Sequence, residues 1–336
     1  MTWLSPEYID TSRSCKQSCD ERYQVHFYHF NCCLIMLKYN NIIIFGATGD
    51  VGSAAALQAH HEGATVSLAT RNLSKSIPRL AHIPFKRYQA DLTRPSTLAA
   101  AVCDAGAKAA FIYGVFDDQD FMRGALRTLK AAGVEFVVFL SSFLILTDIH
   151  NVDPSDIVPW EHAQVEIALE EVYGRDSYVT VRPAFYASNL FHQKQAIQQG
   201  EVKLPNPKAK FDFISSKDIG QVAGTILAPG AHEHIVRLLG PERMTLREAV
   251  GIIGEALNQI VRVTAVSREE CAAQLEAAGV PPPMVQWHLH NVIDRASLYL
   301  ESSEALITGD NISKYAHHPP QRFRDWVEEH KARFLD

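Results

Sequence analysis

The 336-residue sequence predicts an α/β protein with a doubly wound parallel sheet and a small C-terminal α+β lobe. Two observations carry this prediction. Short apolar runs alternate with helical segments as far as Pro183, and three glycines follow the first of these runs. Such alternation is typical of a parallel sheet that is covered by helices on both faces. Beyond Pro183 the alternation weakens, which indicates a second, smaller unit.

The composition limits the kinds of molecule that we expect the protein to bind. Hydrophobic residues make up 47% of the chain and charged residues 21%, as in ordinary globular proteins with a sizeable core. The net charge is −6 and the lysines and arginines are scattered, so we expect no nucleic-acid partner. No apolar run approaches the roughly 18–20 residues that cross a bilayer, so we expect no membrane partner. We expect a monomer or a homodimer that binds small molecules.

Residues 1–35 contain four of the six cysteines. A metal knuckle and a secretory signal are two interpretations of this segment. Its Cys/His spacing matches no zinc pattern, and His26, His29 and Asn31 interrupt the apolar stretch that a signal needs. We favour a third interpretation, a disordered or non-native extension without a metal site. The expected compartment is the reducing cytoplasm.

The first apolar run, Ile42–Phe45, has the composition of a strand that is buried on both faces of a parallel sheet. Gly46, Gly49 and Gly52 follow it, and Val51–His61 then has a helical pattern. In a dinucleotide-binding turn the first glycine permits a tight bend, and the second lets the backbone approach a diphosphate. The third lets the helix lie against the strand. The free N–H groups at the start of the helix attract phosphate.

The run Ala64–Thr70 supplies a second strand and completes the βαβ unit that a glycine motif of this kind requires. Residues 36–183 are therefore predicted to form a dinucleotide-binding (Rossmann) domain. The alternative is a glycine-rich loop without a ligand. The turn residues that we predict to contact the cofactor are Gly46, Thr48, Gly49, Asp50, Val51 and Gly52.

The end of the second strand predicts which dinucleotide binds. An acidic side chain at this place binds the ribose 2′-hydroxyl of NAD, whereas a cation accommodates the 2′-phosphate of NADP. The stretch Ala69–Asn72 contains no acid, and Arg71 can form a bidentate pair with a phosphate. The sequence therefore predicts NADP(H) as the cofactor. The alternative is that Arg71 is a solvated surface residue.

The remaining elements continue the alternation and then lose it. Further strands of the main sheet are predicted at Phe85–Gln89, Ala109–Tyr113, Glu135–Leu140 and Tyr178–Arg182, and helices at Pro95–Asp104, Asp117–Ala132 and Pro159–Tyr173. The substrate lobe, residues 184–336, is predicted to contain helices at Phe185–Gln199, Leu246–Leu257, Arg268–Ala278, Pro283–Ser302 and Pro320–Phe334, strands at Phe211–Ser215, Ile235–Leu239 and Arg262–Val266, and a loop at Glu201–Lys210. Residues 211–227 are expected to return to the main domain.

Ligands of doubly wound sheets bind beyond the carboxyl ends of the strands. The residues at these ends that we predict to contact the cofactor are Asp91, Leu92, Tyr113, Gly114, Ser141 and Pro183. Asp91 also suits a helix cap before Pro95, which is its alternative role.

From Ile42 to about Leu227 the sequence resembles the NmrA-like branch of the atypical short-chain dehydrogenases/reductases. The stretches that carry the resemblance are IIIFGATGDVG, ATRN, ADL, FLSS, VTVRPAFYASNL and FISSKDIGQVAGTIL, and the closing PQRFRDWVEEHKARF is similar to the C-terminal helix of the family. The resemblance implies an NADP(H)-binding Rossmann domain with a small substrate lobe. The family includes reductases of plant phenolics, quinones and fungal metabolites, and also redox-sensing regulators with little or no turnover.

Many short-chain reductases use a Tyr-x-x-x-Lys motif, which this chain lacks. In many NmrA-like proteins a lysine on the helix before the sixth strand approaches the nicotinamide ribose, and the resemblance places His162 at that position. A histidine can bind a ribose hydroxyl and can supply a proton near neutral pH. We predict His162, Tyr113 and Ser142 as catalytic residues, with His162 also contacting the cofactor. The alternatives are a histidine without a catalytic role and a tyrosine that forms an aromatic wall.

An apolar, aromatic pocket is predicted for the substrate, and such a lining suits a flat, hydrophobic molecule. Its predicted residues are Phe116, Phe143, Trp160, Phe185, Tyr186 and Asn189, together with Phe213. We expect Glu161, Glu166, Glu170 and Glu171 on the solvent-facing side of their helix. The main hypothesis is an NADPH-dependent reductase of an aromatic or polycyclic metabolite such as a quinone, enone or imine. The alternative is an NADP(H)-sensing regulatory protein without turnover.

Overall fold

The computed structural model describes residues 37–116, 119–230, 233–295 and 310–335. The predicted extension, residues 1–35, lies outside these ranges. The strands are, in chain order, β1 (Asn41–Phe45), β2 (Thr65–Thr70), β3 (Lys86–Gln89), β4 (Ala109–Tyr113), β5 (Phe136–Leu140), β6 (Tyr178–Pro183), β7 (Glu201–Leu204), β8 (Lys210–Phe211), β9 (Ile235–Leu238), β10 (Met244–Thr245) and β11 (Arg262–Ala265).

The α-helices of the described residues alternate with the strands in the first half of the chain and dominate the second half. They are α1 (Asp50–His61), α2 (Leu98–Ala105), α3 (Arg123–Ala131), α4 (Ile157–Tyr173), α5 (Lys194–Gln198), α6 (Ser216–Leu227), α7 (Leu246–Ala256), α8 (Arg268–Ala277), α9 (Pro282–Leu289), α10 (Asn311–Ala316), α11 (Phe323–His330) and α12 (Ala332–Leu335). None of them is both long enough and apolar enough to cross a membrane.

Seven parallel strands form the central sheet in the order β3-β2-β1-β4-β5-β6-β9. This confirms the predicted doubly wound sheet. The chain builds outward in one direction from β1 to β3 and then in the other direction from β4, so the order reverses between β1 and β4. Such a reversal opens a crevice at the carboxyl ends of the two strands, which is where ligands of this fold bind.

The two faces of the sheet explain why β1 is apolar at every position. Ile42 and Ile44 point to one face and pack in a core cluster with α1 and α6. Ile43 and Phe45 point to the other face and pack with α2, α3 and α4. Because successive side chains of a strand alternate between faces, a strand that is covered on both sides needs an unbroken apolar run.

Helices α1 and α6 approach each other closely because small residues line their contact. A Cβ atom at Gly220 would lie 2.4 Å from the Val51 carbonyl oxygen, and one at Gly224 would lie 2.6 Å from the Ala55 carbonyl oxygen. The returning helix therefore fixes the position of α1, whose first turn borders the glycine motif.

The lobe contains two small sheets and a third core cluster. β7 pairs in parallel with β11, and β8 pairs antiparallel with β10. The third cluster joins residues that follow β5 and β6 to α7 and α11. The described residues all belong to one compact unit, and the division at residue 183 stays a prediction.

Several predicted elements differ from the structure. Ile235–Leu238 pairs with β6 and extends the main sheet instead of lying in the lobe. The predicted loop Glu201–Lys210 contains β7, which forms through a distant partner, β11. The predicted helix Phe185–Gln199 is a 3₁₀ segment, Ala187–Gln193, followed by α5.

The predicted helix Asp117–Ala132 starts later, as α3 at Arg123. Phe121 and Met122 have left-handed φ values of 49° and 67°, and the Asp120 carboxylate accepts a hydrogen bond from the Gly124 N–H at 2.7 Å. This capping contact ends the turn and begins the helix. The predicted helix Pro283–Ser302 is α9 and a π-helical turn at His290–Asp294, and its last part lies outside the described residues.

Candidate functional site

The glycine turn between β1 and α1 leaves the N-terminus of α1 open. Gly46 has a φ of 75°, which favours glycine, and the Gly49 N–H donates to the Gly46 carbonyl at 2.9 Å. A Cβ at Gly52 would lie 2.4 Å from the same carbonyl oxygen, so only glycine lets α1 approach the turn. Thr48 and Gly49 are exposed at the mouth of the turn. The predicted roles of Gly46 and Gly52 thus have a steric basis.

Gly49 is a glycine that the protein fold itself does not require. Its φ of −91° suits any residue, and a Cβ there would meet only the Gly46 carbonyl oxygen, at 3.4 Å. The open space in front of this backbone is what an approaching diphosphate needs. On this observation the turn fits a dinucleotide.

Asp50 and Val51 follow Gly49 at the start of α1. The Asp50 carboxylate pairs with two guanidiniums, those of Arg79 and Arg333. Burial alone would raise the pKa of Asp50, but the hydrogen bond from Arg333 and the charge of Arg79 outweigh burial and lower it. Val51 is half-buried and faces α6 through its carbonyl group. The predicted contact of Asp50 with the cofactor would have to be made by its backbone N–H, because a contact of its carboxylate with phosphate would oppose two negative charges.

Arg71, Asp91 and Tyr113 lie near one another at the carboxyl ends of β2, β3 and β4. Arg71 is exposed, and among the residues that the structure describes its side chain makes no hydrogen bond or ion pair. Burial raises the pKa of the Tyr113 phenol, the charge of Arg71 opposes this rise and the charge of Asp91 adds to it. The Tyr113 ring lies over Gly46, where a Cβ would be 2.8 Å from Cε1.

This arrangement changes the interpretation of Tyr113. Its neighbours, Arg71 and Asp91, are the residues that we predicted for the adenosine half of the cofactor. Its raised pKa also makes the phenol a weaker proton donor. The position of the Tyr113 ring over Gly46 fits the alternative role as an aromatic wall, and the catalytic role of Tyr113 stays a prediction.

A cavity of about 170 Å³ lies beyond the carboxyl ends of β3 and β4. It is lined by Leu92, Thr93, Pro95, Val115, Asp120, Met122 and Ala125. The Asp91 carboxylate accepts a hydrogen bond from the Thr93 N–H at 3.0 Å and so shapes this loop. Leu92 is buried and contributes an apolar wall. The cavity therefore has both apolar and polar walls.

His162 lies on α4 between two aromatic rings. Its ring centroid is 4.7 Å from that of Phe116 and 6.3 Å from that of Phe139. Nδ1 is 2.8 Å from the Val158 carbonyl oxygen. A carbonyl only accepts, so Nδ1 carries the proton in the neutral ring and Nε2 keeps a lone pair. Burial lowers the pKa of His162, which favours this neutral form at pH 7.

One turn further along α4, Glu166 forms a buried ion pair that the sequence analysis missed. Glu166 and Arg182 are each 1% exposed, and Arg182 Nη2 lies 2.5 Å from Glu166 Oε2. The Ser141 hydroxyl donates to Glu166 Oε1 at 2.5 Å, and Arg182 also donates to the Ile145 carbonyl at 3.2 Å. The expectation that Glu166 faces solvent was wrong. Because its proton is donated to Glu166, the Ser141 hydroxyl could only accept a hydrogen bond from a cofactor, and that contact stays a prediction.

The lone charge of Arg182 inside the apolar strand β6 was the signal for this pair, since an unpaired buried charge is costly. The network joins the ends of β5 and β6 to α4 and to the segment that follows β5. It therefore holds His162 and the β5–α4 connection in fixed positions.

A larger cavity, of about 760 Å³, lies between the β5–α4 connection and α9. Apolar side chains form much of its wall, namely Leu144, Leu146, Val152, Pro154, Ile157, Pro283 and Trp287. Ser142 borders this connection, and its Oγ accepts a hydrogen bond from the Leu144 N–H at 3.2 Å. Within the part of the chain that the structure describes, no group accepts the Ser142 hydroxyl proton, which is available for donation.

Polar side chains close the rim of the large cavity. Asp156 accepts a hydrogen bond from Trp287 Nε1 at 2.7 Å and pairs with Arg295. These contacts connect the first turn of α4 to α9 and its π-helical extension. No local pattern indicates these contacts, because Asp156 is 131 residues from Trp287 along the chain.

The residues predicted for one aromatic pocket lie at several separate places in the structure. Phe143 and Phe213 are each 1% exposed and pack in the third core cluster, and their contact with a substrate stays a prediction. Phe116 packs on Gly114, where a Cβ would be 2.3 Å from its ring, and covers His162. Trp160 meets Phe121 edge to face at 5.2 Å.

The remaining predicted residues follow β6. Pro183 is buried, and its carbonyl accepts from the Phe143 N–H at 3.1 Å. Phe185 stacks on Phe211 at 4.2 Å. Burial raises the pKa of the Tyr186 phenol, whereas Asn189 is exposed. The contact of Pro183 with the cofactor, and the contact of Phe185, Tyr186 and Asn189 with a substrate, stay predictions.

Comparison with known proteins identifies a matching family and related sequences. The sequence pattern of the NmrA-like family matches residues 38–306. The nitrogen metabolite regulation-like protein bik4 of Gibberella fujikuroi is 33% identical over 325 residues, which cover 89% of this chain and 98% of that protein. The uncharacterized oxidoreductase YesF of Bacillus subtilis is 25% identical over 304 residues, with 88% and 97% covered.

Solved structures share the fold. The NADPH-dependent quinone oxidoreductase QOR2 of Escherichia coli, in complex with NADPH, has a TM-score of 0.68 at 20% identity and covers 86% of this chain and 99% of its own. NmrA, a negative transcriptional regulator, has a TM-score of 0.64 at 16% identity, with 86% and 95% covered.

Proposed function

The chain belongs to the NmrA-like family, and from this premise we propose that it is an NADPH-dependent reductase of a hydrophobic, aromatic or polycyclic metabolite. The observation that carries this proposal is the 760 Å³ cavity at the carboxyl end of β5. Ile157 lines this cavity, and His162 lies five residues later on the same helix, about 7.5 Å along its axis. A substrate cavity beside the predicted cofactor crevice is what a reductase needs.

The residues that would hold NADPH lie along the crevice. The open N-terminus of α1 suits the diphosphate, and the unpaired guanidinium of Arg71 suits the 2′-phosphate. The small cavity that Leu92 lines suits the adenine. NADPH would supply the hydride when bound.

The protein's own side chains would orient the cofactor and the substrate and would form the hydrogen bonds that hold them. Neutral His162 presents Nε2 as an acceptor for a ribose hydroxyl, because Nδ1 is held by Val158. The free hydroxyl proton of Ser142 suits a carbonyl or imine nitrogen of the substrate. The apolar walls near Leu144 and Leu146 exclude water from that place.

The weak acidity of Tyr113 and His162 limits the class of substrate that could be reduced. The Tyr113 phenol has a raised pKa, and the lowered pKa of His162 leaves little imidazolium at pH 7. Without a strong acid, reduction depends on placement and on a substrate that is already electrophilic. Quinones, enones and imines meet this condition.

A second role, an NADP(H)-sensing regulatory protein without turnover, has support of its own. His162 stands where the resemblance expects a lysine, and its neutral form is a poor proton donor. The chain is also 33% identical to a protein that is named for nitrogen metabolite regulation. Both roles require the same cofactor crevice, so turnover is what separates them.

The test has two parts. NADPH oxidation by the full chain is measured against a panel of quinones, enones and imines, and substrate-dependent oxidation supports the reductase. Cofactor binding without oxidation of NADPH by any of them supports the sensor. Arg71→Ala is expected to weaken NADPH binding by about tenfold or more and NADH binding little, because a charge-assisted phosphate contact is lost.

Arg262→Ala is the matched control, since Arg262 pairs with Glu201 on the small sheet of the lobe. Equal losses for NADPH and NADH in Arg71→Ala would contradict the assignment of NADP(H). A wild-type chain that binds neither dinucleotide would remove both proposed functions.

A further inference from the structure

Asp50 presents an unusual arrangement at the start of α1. A carboxylate stands at the first position after Gly49, beside the amide groups that suit a diphosphate. It is contacted by Arg79, from the 3₁₀ turn Pro78–Leu80 between β2 and β3, and by Arg333 Nη1 at 2.9 Å, from α12. Two segments distant in sequence thus bring cations to one side of the glycine turn.

The charges at this place do not cancel. Two guanidiniums and one carboxylate leave a formal surplus of one positive charge. The surplus adds to the partial positive charge of the open N-terminus of α1. The space in front of Gly49, which the fold does not need, is the second observation that indicates an anion here.

Arg333 is held in place by the lobe. Its guanidinium carbon lies 4.1 Å from the ring centroid of Phe191, and this ring packs against Phe334 at 4.7 Å. Gln198 of α5 donates to the backbone carbonyl groups of Phe334 and Leu335 at 2.7 and 3.2 Å. The cation is therefore positioned before any ligand arrives, which reduces the entropy that binding would cost.

We propose that Arg79 and Arg333 are ligands of the cofactor diphosphate, so that the last turn of the chain completes the cofactor site. The proposal rests on the proposed NADP(H) binding. Asp50 holds the two guanidiniums at the turn, and the diphosphate takes part of their hydrogen bonding when it binds. The lobe would then bind the cofactor as well as the substrate.

The experiment separates the diphosphate from the 2′-phosphate. Dissociation constants of the full chain are measured for NADPH and for 2′-AMP, which carries the 2′-phosphate but no diphosphate. We expect Arg333→Ala to weaken NADPH binding by about tenfold or more and to leave 2′-AMP binding unchanged. Arg71→Ala should weaken the binding of both ligands.

Arg324→Ala is the matched control, because Arg324 lies on α11 and pairs with Glu255 at 2.9 Å, within the lobe. It should bind both ligands like the wild type. Asp50→Asn, which keeps the side-chain shape and removes the opposing charge, is expected to bind NADPH more tightly. This variant also serves if Arg333→Ala fails to fold.

The inference is overturned if Arg333→Ala lowers the melting temperature but binds NADPH like the wild type, since Arg333 would then only tie α12 to α1. It is equally overturned if Asp50→Asn binds NADPH no more tightly than the wild type. If Arg71→Ala alone weakens NADPH binding, the proposed function survives without this inference. A wild-type chain that binds neither ligand would instead contradict the proposed function.

Discussion

Alanine substitutions at Gly49 and Gly52, the two glycines that flank the first turn of α1, should separate an effect on folding stability from an effect on cofactor binding. Gly49→Ala and Gly52→Ala both add one methyl group, three residues apart. A Cβ at position 52 would lie 2.4 Å from the carbonyl oxygen and 2.7 Å from the carbonyl carbon of Gly46, and neither backbone atom can move aside cheaply. At position 49 the same methyl group meets one atom at 3.4 Å.

The magnitudes follow from these distances. Because the contacts are to backbone atoms, overpacking at position 52 should cost about 2–3 kcal/mol, and better helix propensity returns about 1 kcal/mol, so Gly52→Ala should lower the free energy of unfolding by about 1–2 kcal/mol. At position 49 the weaker N-cap is offset by the stiffer unfolded chain, so Gly49→Ala should change that free energy by less than about 0.5 kcal/mol. Its methyl group would occupy the space for the diphosphate.

The assay pairs urea unfolding with NADPH titration for both variants. Gly49→Ala should unfold like the wild type and bind NADPH at least about tenfold more weakly. Gly52→Ala should show the loss of stability. If Gly49→Ala folds and binds NADPH as the wild type does, no diphosphate approaches this turn and the cofactor assignment fails.

Two further predictions concern α4. Glu166→Gln should lower the free energy of unfolding, measured in urea, by about 3–5 kcal/mol, because Arg182 would be left buried without its ionic partner. The double variant with Arg182→Met should recover much of this loss. Equal stability of the wild type and Glu166→Gln would contradict the buried pair. Because folding lowers the pKa of His162, the unfolded chain takes up a proton on this side chain at a higher pH than the folded chain does. The contribution of His162 to stability is therefore complete above the ordinary pKa of 6.5, and it is lost as the pH falls through the lowered pKa. The difference in unfolding free energy between wild type and His162→Gln should therefore shrink from about pH 8 to about pH 5, and a constant difference would show that His162 titrates normally.

The predictions that held depend on local spacing. The run Ile42–Phe45, the three glycines and the following helix are close in sequence, and their geometry is fixed by backbone sterics and by the alternation of side chains. Arg71 lies directly after β2, as its position in the sequence indicates, and its contact with a 2′-phosphate stays a prediction. The doubly wound parallel sheet follows from the alternation of strands with helices.

What failed depends on partners that are distant in the chain. The strand Glu201–Leu204 forms because Arg262–Ala265 pairs with it, and Ile235–Leu238 joins the main sheet because β6 offers a free edge. Glu166 is polar in sequence, yet it is buried because Arg182 reaches it from another element. Pattern alone assigned these residues to a loop, to the lobe and to solvent.

The sequence by itself determined the glycine turn and the alternation of strands and helices that predicts the doubly wound sheet, because each of these features is encoded by residues that lie close together along the chain. Only the tertiary structure decided which charges meet. It brought Arg333 from the last turn to Asp50, and Trp287 to Asp156 at the rim of the large cavity. Such contacts depend on how separate elements pack, and no spacing along the chain encodes them.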